Sequence, residues 1–226
     1  MTSAVIVAAG RGTRMGPHID KLFLEVAGRP VVAHTWARWD AAAAVDEVVL
    51  VIRAGMEAAF TEMAATLPLT KPYRFAVGGA ERQDSVWNGL MALSAEAEVV
   101  AIHDGARPCI SAELIHHTIQ AARESGAAVA AQRITDTLKE SEDGTLVSRT
   151  VDRAKLWSVQ TPQAFRVAVI REAISTARAR GLNLTDDTAA CELIGQPVRL
   201  VESRQPNPKV TVPADLPFIA SVLGGQ

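Results

Sequence analysis

The chain predicts an α/β fold built on a mostly parallel sheet, and three observations carry this. Short β-branched apolar runs alternate with longer amphipathic stretches, the rhythm of repeated βαβ units. The runs are apolar at nearly every position, as strands covered on both faces must be. The length of 226 residues suits one core with at most a small inserted lobe, and 48% hydrophobic against 21% charged residues is enough apolar material to fold unaided.

Read in order, Ala4 to Ala9, Glu47 to Ile52, Tyr73 to Val77, Val99 to His103 and Ala127 to Gln132 are expected as buried strands. Between them Val31 to Trp39, Met56 to Thr66, Asp84 to Leu93 and Ser111 to Ser125 supply helical crossovers, the last opening on Ser111 as N-cap. The rhythm breaks at residues 133–158. There Thr135 to Glu140 and Leu146 to Val151 flank the polar tip Ser141-Glu142-Asp143-Gly144, the signature of a hairpin. A lone two-stranded hairpin is marginal in water, so this arm needs something to pack on, and a second copy of the chain is the natural candidate. A helix at Val167 to Arg180, a second capped by Thr185 and running Asp186 to Ile194, a strand at Pro197 to Val201 and a closing helix at Pro213 to Leu223 complete the chain as one domain, 1–226.

Basic residues number 23 and acidic residues 25, a balance without the cationic footprint of a nucleic-acid or membrane-surface binder. Aromatics at 4% are too sparse for a base-stacking channel. No run approaches the roughly 18 apolar residues of a membrane span. The apolar start lacks a basic leader, unlike a signal peptide. Cys109 and Cys191 stand far apart with no metal-binding or disulfide spacing, which fits a reducing cytoplasm.

Chemistry is concentrated after the first strand, in Ala8-Ala9-Gly10-Arg11-Gly12-Thr13-Arg14-Met15-Gly16-Pro17 and the following Asp20-Lys21. Gly10 and Gly12 let backbone N–H groups face a ligand, and Arg14 and Lys21 add cations, an arrangement suited to a polyphosphate. No Gly-Lys-Ser/Thr follows, so this is not a P-loop, and Met15 occupies the third glycine position of a dinucleotide fingerprint. A tight surface turn with solvated arginines would use the same glycines. The position after a strand favours a ligand, because open α/β sheets bind outside the carboxyl ends of their strands. Asp104 ends another such strand and could hold Mg²⁺ against phosphates or cap the turn before Pro108. His103 reads as a packed strand-end histidine, and Trp36 with Trp39 as core. Gly78-Gly79 with Ser85 could approach a flat base or could be a turn and an N-cap. Neither cysteine carries a nucleophile motif.

Together these residues resemble a known family. Ala-Ala-Gly-x-Gly-x-Arg-Met with a downstream lysine looks like the nucleotide signature of sugar-phosphate nucleotidyltransferases. Gly78 to Val86, His103-Asp104-Gly105-Ala106-Arg107-Pro108, Thr150-Val151-Asp152-Arg153, Gln160-Thr161-Pro162-Gln163, Thr185-Asp186-Asp187 and Lys209-Val210-Thr211 narrow the resemblance to the 2-C-methyl-D-erythritol 4-phosphate cytidylyltransferases. One departure is local: that family often has proline before the lysine and glutamine after it, where Asp20 and Leu22 flank Lys21 here.

The resemblance implies a Rossmann-like, three-layer nucleotidyltransferase fold with a protruding dimerisation arm, acting on CTP and a sugar-alcohol phosphate with Mg²⁺ or another divalent cation. It implies catalytic roles for Arg14, Lys21, Arg153 and Lys209. The nucleotide would meet Ala8, Ala9, Gly10, Gly12, Gly79, Ser85, Asp104 and Ala106, with Asp104 also the metal ligand. The acceptor would meet Arg107, Thr137, Thr161 and Thr185. Ribitol-5-phosphate cytidylyltransferase shares this chemistry and much of the motif set. An NAD(P)-dependent oxidoreductase is opposed by Met15, Arg14 and Lys21. A silent nucleotide sensor would bind CTP without releasing pyrophosphate.

Overall fold

The computed structural model describes residues 1–10 and 20–225. Its strands β1 (Thr2–Val7), β4 (Glu47–Ile52), β5 (Tyr73–Val77), β6 (Val99–Asp104), β7 (Ala127–Arg133), β10 (Trp157–Arg166) and β11 (Arg199–Glu202) form one seven-stranded sheet in the order β11-β7-β10-β6-β1-β4-β5. All the pairings are parallel except the two made by β10. Two small antiparallel ribbons lie outside it: β2 (Glu25–Val26) with β3 (Arg29–Pro30), and β8 (Leu138–Glu140) with β9 (Arg149–Val151).

Alternation along the central strands divides the core between the two faces. Ala4, Ile6, Val48, Leu50 and Ile52 pack on one side with Trp36 and Trp39 of α1 (Val31–Ala41) and Phe60 of α2 (Glu57–Ala65). Ile115 of α4 (Ala112–Ser125) and Ile219 of α7 (Leu216–Gly224) belong to the same layer. Val5, Val49 and Val51 face the other side, against Val86 and Leu90 of α3 (Arg82–Met91), Ile170 of α5 (Val167–Ala179) and Cys191 of α6 (Asp187–Leu193). This is why the central strand sequences are apolar at nearly every position. The chain goes from β1 outward through β4 to β5 and then returns to β6 on the other flank of β1. The carboxyl ends of β1 and β6 therefore border a topological switch point, the crevice where such sheets bind ligands.

Several elements differ from the sequence reading, each for a physical reason. β1 begins at Thr2 and stops at Val7, because its ladder with β6 runs from Thr2 opposite Val99 to Val7 opposite Asp104, and Ala8 and Ala9 are apolar loop. Tyr73–Val77 has the expected bounds, yet as the outer strand β5 it is largely exposed. Ser85 does not cap α3; Glu81 does, in a capping box with Asp84, and Ser85 sits in the first turn. Asp186, not Thr185, caps α6, its carboxylate accepting from the Ala189 N–H at 2.9 Å. Ser111 caps α4 as expected, accepting from Leu114 N–H at 3.2 Å.

β10 is a strand that local sequence does not signal, since Pro162 interrupts it and proline cannot donate to a ladder. The pairing with β7 shifts register between Val159 and Gln163, and Pro162 lies in that irregularity. The arm is a hairpin of three residue pairs, with Leu146 and Val147 in its loop at 72% and 61% exposure. Among the described residues no helix is long and apolar enough to cross a membrane.

Candidate active site

A cleft of about 500 Å³ opens over the ends of β1 and β6. Ala9, Gly10 and Lys21 line one side, Gly79, Arg82 and Ser85 another, and Asp104, Ala106 and Lys209 close it. Gly78 must be glycine for close approach: a Cβ there would fall 2.3 Å from the Ala9 Cβ. The two glycine-bearing loops thus touch across the sheet edge. The Ser85 hydroxyl donates to the Glu81 carbonyl at 3.2 Å and accepts from Gly79 N–H at 3.0 Å, which fixes the Gly79 backbone at the cleft wall.

Asp104 is the electrostatic centre. Its Oδ2 accepts from Lys209 Nζ at 2.6 Å, and the guanidinium Nε atoms of Arg82 and Arg107 each stand 3.7 Å from the carboxylate. Burial alone would raise this carboxyl, but Lys209, Arg82 and Arg107 together hold it well below the usual carboxylate range. Arg82 forks onto Asp187 through two hydrogen bonds of 2.8 Å. Burial opposes the Arg82 charge, yet Asp187 and Asp104 raise its pKa above the ordinary guanidinium value. Burial also lifts the Asp187 carboxyl while Arg82 pulls it down, and with two short charge-assisted bonds we assign the ionised pair.

Beneath Asp104 a hydrogen-bond chain holds the backbone. Burial pushes the His103 imidazole down to about 4, so the ring is neutral near pH 7. Its Nε2 faces the Arg107 carbonyl at 3.1 Å and must carry the proton, because a carbonyl only accepts. Nδ1 therefore accepts from the Thr161 hydroxyl at 3.1 Å, and the Thr161 oxygen in turn accepts from Asp104 N–H at 3.1 Å. Asn207 ties the Lys209 loop to the same place, donating to the Thr161 carbonyl at 2.8 Å and accepting at its own carbonyl from Arg107 at 2.7 Å. Val210 N–H donates to the Ala106 carbonyl at 2.8 Å. Lys21 Nζ reaches the Val210 carbonyl at 3.0 Å.

Eight of the expected residues, Ala9, Gly10, Lys21, Gly79, Ser85, Asp104, Ala106 and Lys209, thus border one cleft. Ala8 is buried behind it, Arg107 braces Asp104, and Thr161 is 4% exposed with its hydroxyl in the His103 chain. Thr185 is exposed just before α6. Arg153 and Thr137 sit together on the arm, the guanidinium donating to the hydroxyl at 3.3 Å, and do not line their own chain's cleft. Gly12 and Arg14 lie outside the described residues. Sequence reasoning passed over Arg82, although it stands inside the Gly78–Val86 run beside two glycines, where a cation is informative.

Asp104 is the donor to test for a divalent cation. Among the described residues no cluster of three or more His, Cys, Asp or Glu could enclose a metal. Asp104 lines the cleft, and its Oδ1 has its ion-pair partner Arg82 at 3.7 Å, longer than the 2.6 Å hydrogen bond that Lys209 makes to Oδ2. That donor set fits Mg²⁺, which takes one or two carboxylates and fills its octahedron with water and substrate phosphates.

A doubly covered, mostly parallel sheet with glycine loops and converging cations at its switch point defines an α/β protein built to hold a phosphate-bearing ligand. The family model described as IspD, 2-C-methyl-D-erythritol 4-phosphate cytidylyltransferase, matches residues 2–224. The chain is 41% identical over 223 residues to the 2-C-methyl-D-erythritol 4-phosphate cytidylyltransferase of Geobacillus kaustophilus, covering 99% of this chain and 97% of that one. The crystal structure of the Thermus thermophilus 2-C-methyl-D-erythritol 4-phosphate cytidylyltransferase superposes with a TM-score of 0.80 at 37% identity, covering 98% of both chains. That of the 4-diphosphocytidyl-2C-methyl-D-erythritol synthase from Anaerococcus prevotii gives 0.86 at 32% identity, over 99% of this chain and 96% of that one. The chain belongs to the 2-C-methyl-D-erythritol 4-phosphate cytidylyltransferase family, and its function is that cytidylyl transfer in isoprenoid precursor synthesis.

Proposed function

We propose that the cleft binds CTP and receives 2-C-methyl-D-erythritol 4-phosphate at a site shared with a second copy of the chain. The observation that carries this is the meeting of Lys21, Lys209, Arg82 and Asp104 over the glycine loops. The Gly79 and Ser85 wall would take the cytosine, and Gly10, with Gly12, the triphosphate. A phosphate oxygen of the acceptor attacks the α-phosphorus in line. The new phosphorus–oxygen bond forms as the bond to the β-phosphate bridge breaks, and pyrophosphate leaves with the electron pair. An acceptor already ionised as a phosphate needs no general base, which agrees with a His103 that lies outside the cleft lining with both ring nitrogens engaged by Arg107 and Thr161. Lys21 and Arg14 would offset charge growing at the transferring and leaving phosphates. When bound at Asp104, Mg²⁺ would neutralise triphosphate charge.

The acceptor phosphate requires cations of its own. Lys209 and Thr185 on the same chain would meet Arg153 and Thr137 from a partner's arm, while Arg107 and the buried Thr161, expected from the resemblance as acceptor contacts, would act from behind by holding Asp104 in place. Exposed Leu146 and Val147 at the arm's end support a homodimer, since apolar side chains so exposed gain by being covered. Two buried, unpaired cysteines support a reducing cytoplasm.

The test mixes two disabled proteins. Lys21→Ala is expected to lower kcat by about 10², and Arg153→Ala to raise KM for the acceptor. Allowing the two variants to exchange subunits makes heterodimers in which one site holds both residues, and pyrophosphate release should recover in step with heterodimer formation. Verified exchange without recovery would refute the shared site. Ribitol 5-phosphate in the same assay should be the poorer acceptor.

A further inference from the structure

Arg53 follows β4, the neighbour of β1, and emerges at the same edge of the sheet as the first glycine loop. It does not line the cleft, and the cytidylyl-transfer chemistry outlined above gives it no task. Its guanidinium nevertheless touches the chain on both sides of residues 11–19. NH1 donates to the Gly10 carbonyl at 3.4 Å, and NH2 is ion-paired with the Asp20 carboxylate. Asp20 is itself the start of a tight turn: its Oδ1 accepts from Leu22 N–H at 3.1 Å and its carbonyl from Phe23 N–H at 3.0 Å. Lys21 rides on that turn and reaches across to Val210, beside Lys209.

Two physical effects converge here. The Arg53 and Asp20 side chains are 25% and 22% exposed, so this pair is less screened than the arm pair Arg149–Glu140 at 66% and 48%. It therefore fixes the spacing between Gly10 and Asp20. It also neutralises Asp20, whose charge one residue from Lys21 would otherwise work against a polyphosphate in the cleft. A forked cation is needed because the two acceptors lie on separate stretches of chain, a task a single ammonium performs poorly.

We propose that Arg53 is a positioning residue for cytidylyl transfer, holding Gly10 and Asp20 together so that the Lys21 ammonium is set against the phosphates. The inference rests on the reading of Lys21 as the cation at the transferring phosphate, and the experiment separates the two. Steady-state kinetics are measured for Arg53→Ala, Arg53→Lys, Asp20→Asn, Lys21→Ala and the double variant Arg53→Ala/Lys21→Ala, with thermal melts on each. Arg53→Ala is expected to lower kcat about 10-fold, a smaller loss than the roughly 10²-fold that a full 1 Å misplacement can cause, with the acceptor KM unchanged. Arg53→Lys should recover part of the loss, and Asp20→Asn, which keeps the shape but breaks the ion pair, should show a smaller loss of the same kind. In the Lys21→Ala background the Arg53→Ala change should cost clearly less than in the wild type, because the group it positions is gone and only the unmasked Asp20 charge is left to act. A wild-type kcat in Arg53→Ala, or the same fold loss with and without Lys21, overturns the proposal while leaving the role of Lys21 intact. Wild-type turnover in Lys21→Ala overturns both.

Discussion

Gly78→Ala should damage nucleotide binding through one methyl group. A Cβ built at Gly78 lies 2.3 Å from the Ala9 Cβ and 3.0 Å from the Ser85 Oγ. Carbon atoms rest at about 3.5–4.0 Å, so the Ala9 contact alone must open by more than about 1 Å. Neither partner is the free end of a flexible side chain. Ala9 is held by the loop after β1, and the Ser85 hydroxyl is engaged by Glu81 and Gly79. The strain therefore has to move backbone at the wall of the cleft. Overpacking of this kind costs about 1–3 kcal/mol, which for a domain of this size lowers Tm by roughly 2–12 °C. The informative readout is KM for CTP, which should rise more than KM for the acceptor, since the displaced loops are those assigned to the nucleotide. Ala9→Gly removes the clashing methyl, so Gly78→Ala/Ala9→Gly should recover much of both losses. Wild-type Tm and KM in the single variant, or no recovery in the double, would show that the two loops do not meet as described.

Two further outcomes follow from the buried groups. His103 binds its proton with a pKa of about 4 in the fold and about 6.5 when unfolded. Between those values the unfolded chain takes up a proton that the native state refuses. Stability thus falls as pH drops through that window, by at most about 1.4 kcal/mol per pH unit from this group. Asp104, depressed in the fold, adds its own loss only below the unfolded carboxylate value near about 3.9. Denaturant melts from pH 7 to 4 should be steeper in pH for the wild type than for His103→Gln, and equal slopes would deny the assignment. Asp187→Asn leaves the Arg82 fork with one weakened partner, and should lower Tm and raise KM for CTP several-fold as Arg82 turns toward Asp104; an unchanged CTP titration would make the pair purely structural.

Local pattern alone determined the elements whose neighbours are uniform. Glu47–Ile52 is apolar after its first residue and flanked by polar or turn residues, so the strand's bounds are readable without its partners. Ser111 announces its helix because a cap is satisfied within three residues. The motif residues Ala9, Gly10, Lys21, Gly79, Asp104 and Lys209 were legible as chemistry, since glycines, cations and a carboxylate at strand ends have few other uses together. Tertiary structure alone decided what these residues bind to. Trp157–Arg166 is a strand because β6 and β7 leave a gap that it fills in the opposite direction, and its bulge accommodates Pro162, which by local rules argues against a strand. Arg82 finds Asp187 at a separation of 105 residues, Asp104 finds Lys209 at the same separation, and His103 finds Thr161 58 residues on. A hydrogen bond or ion pair depends on distances of a few ångströms, whereas periodicity in sequence records only which face a residue presents. The register of the sheet converts one into the other, and it does so only when all seven strands are in place.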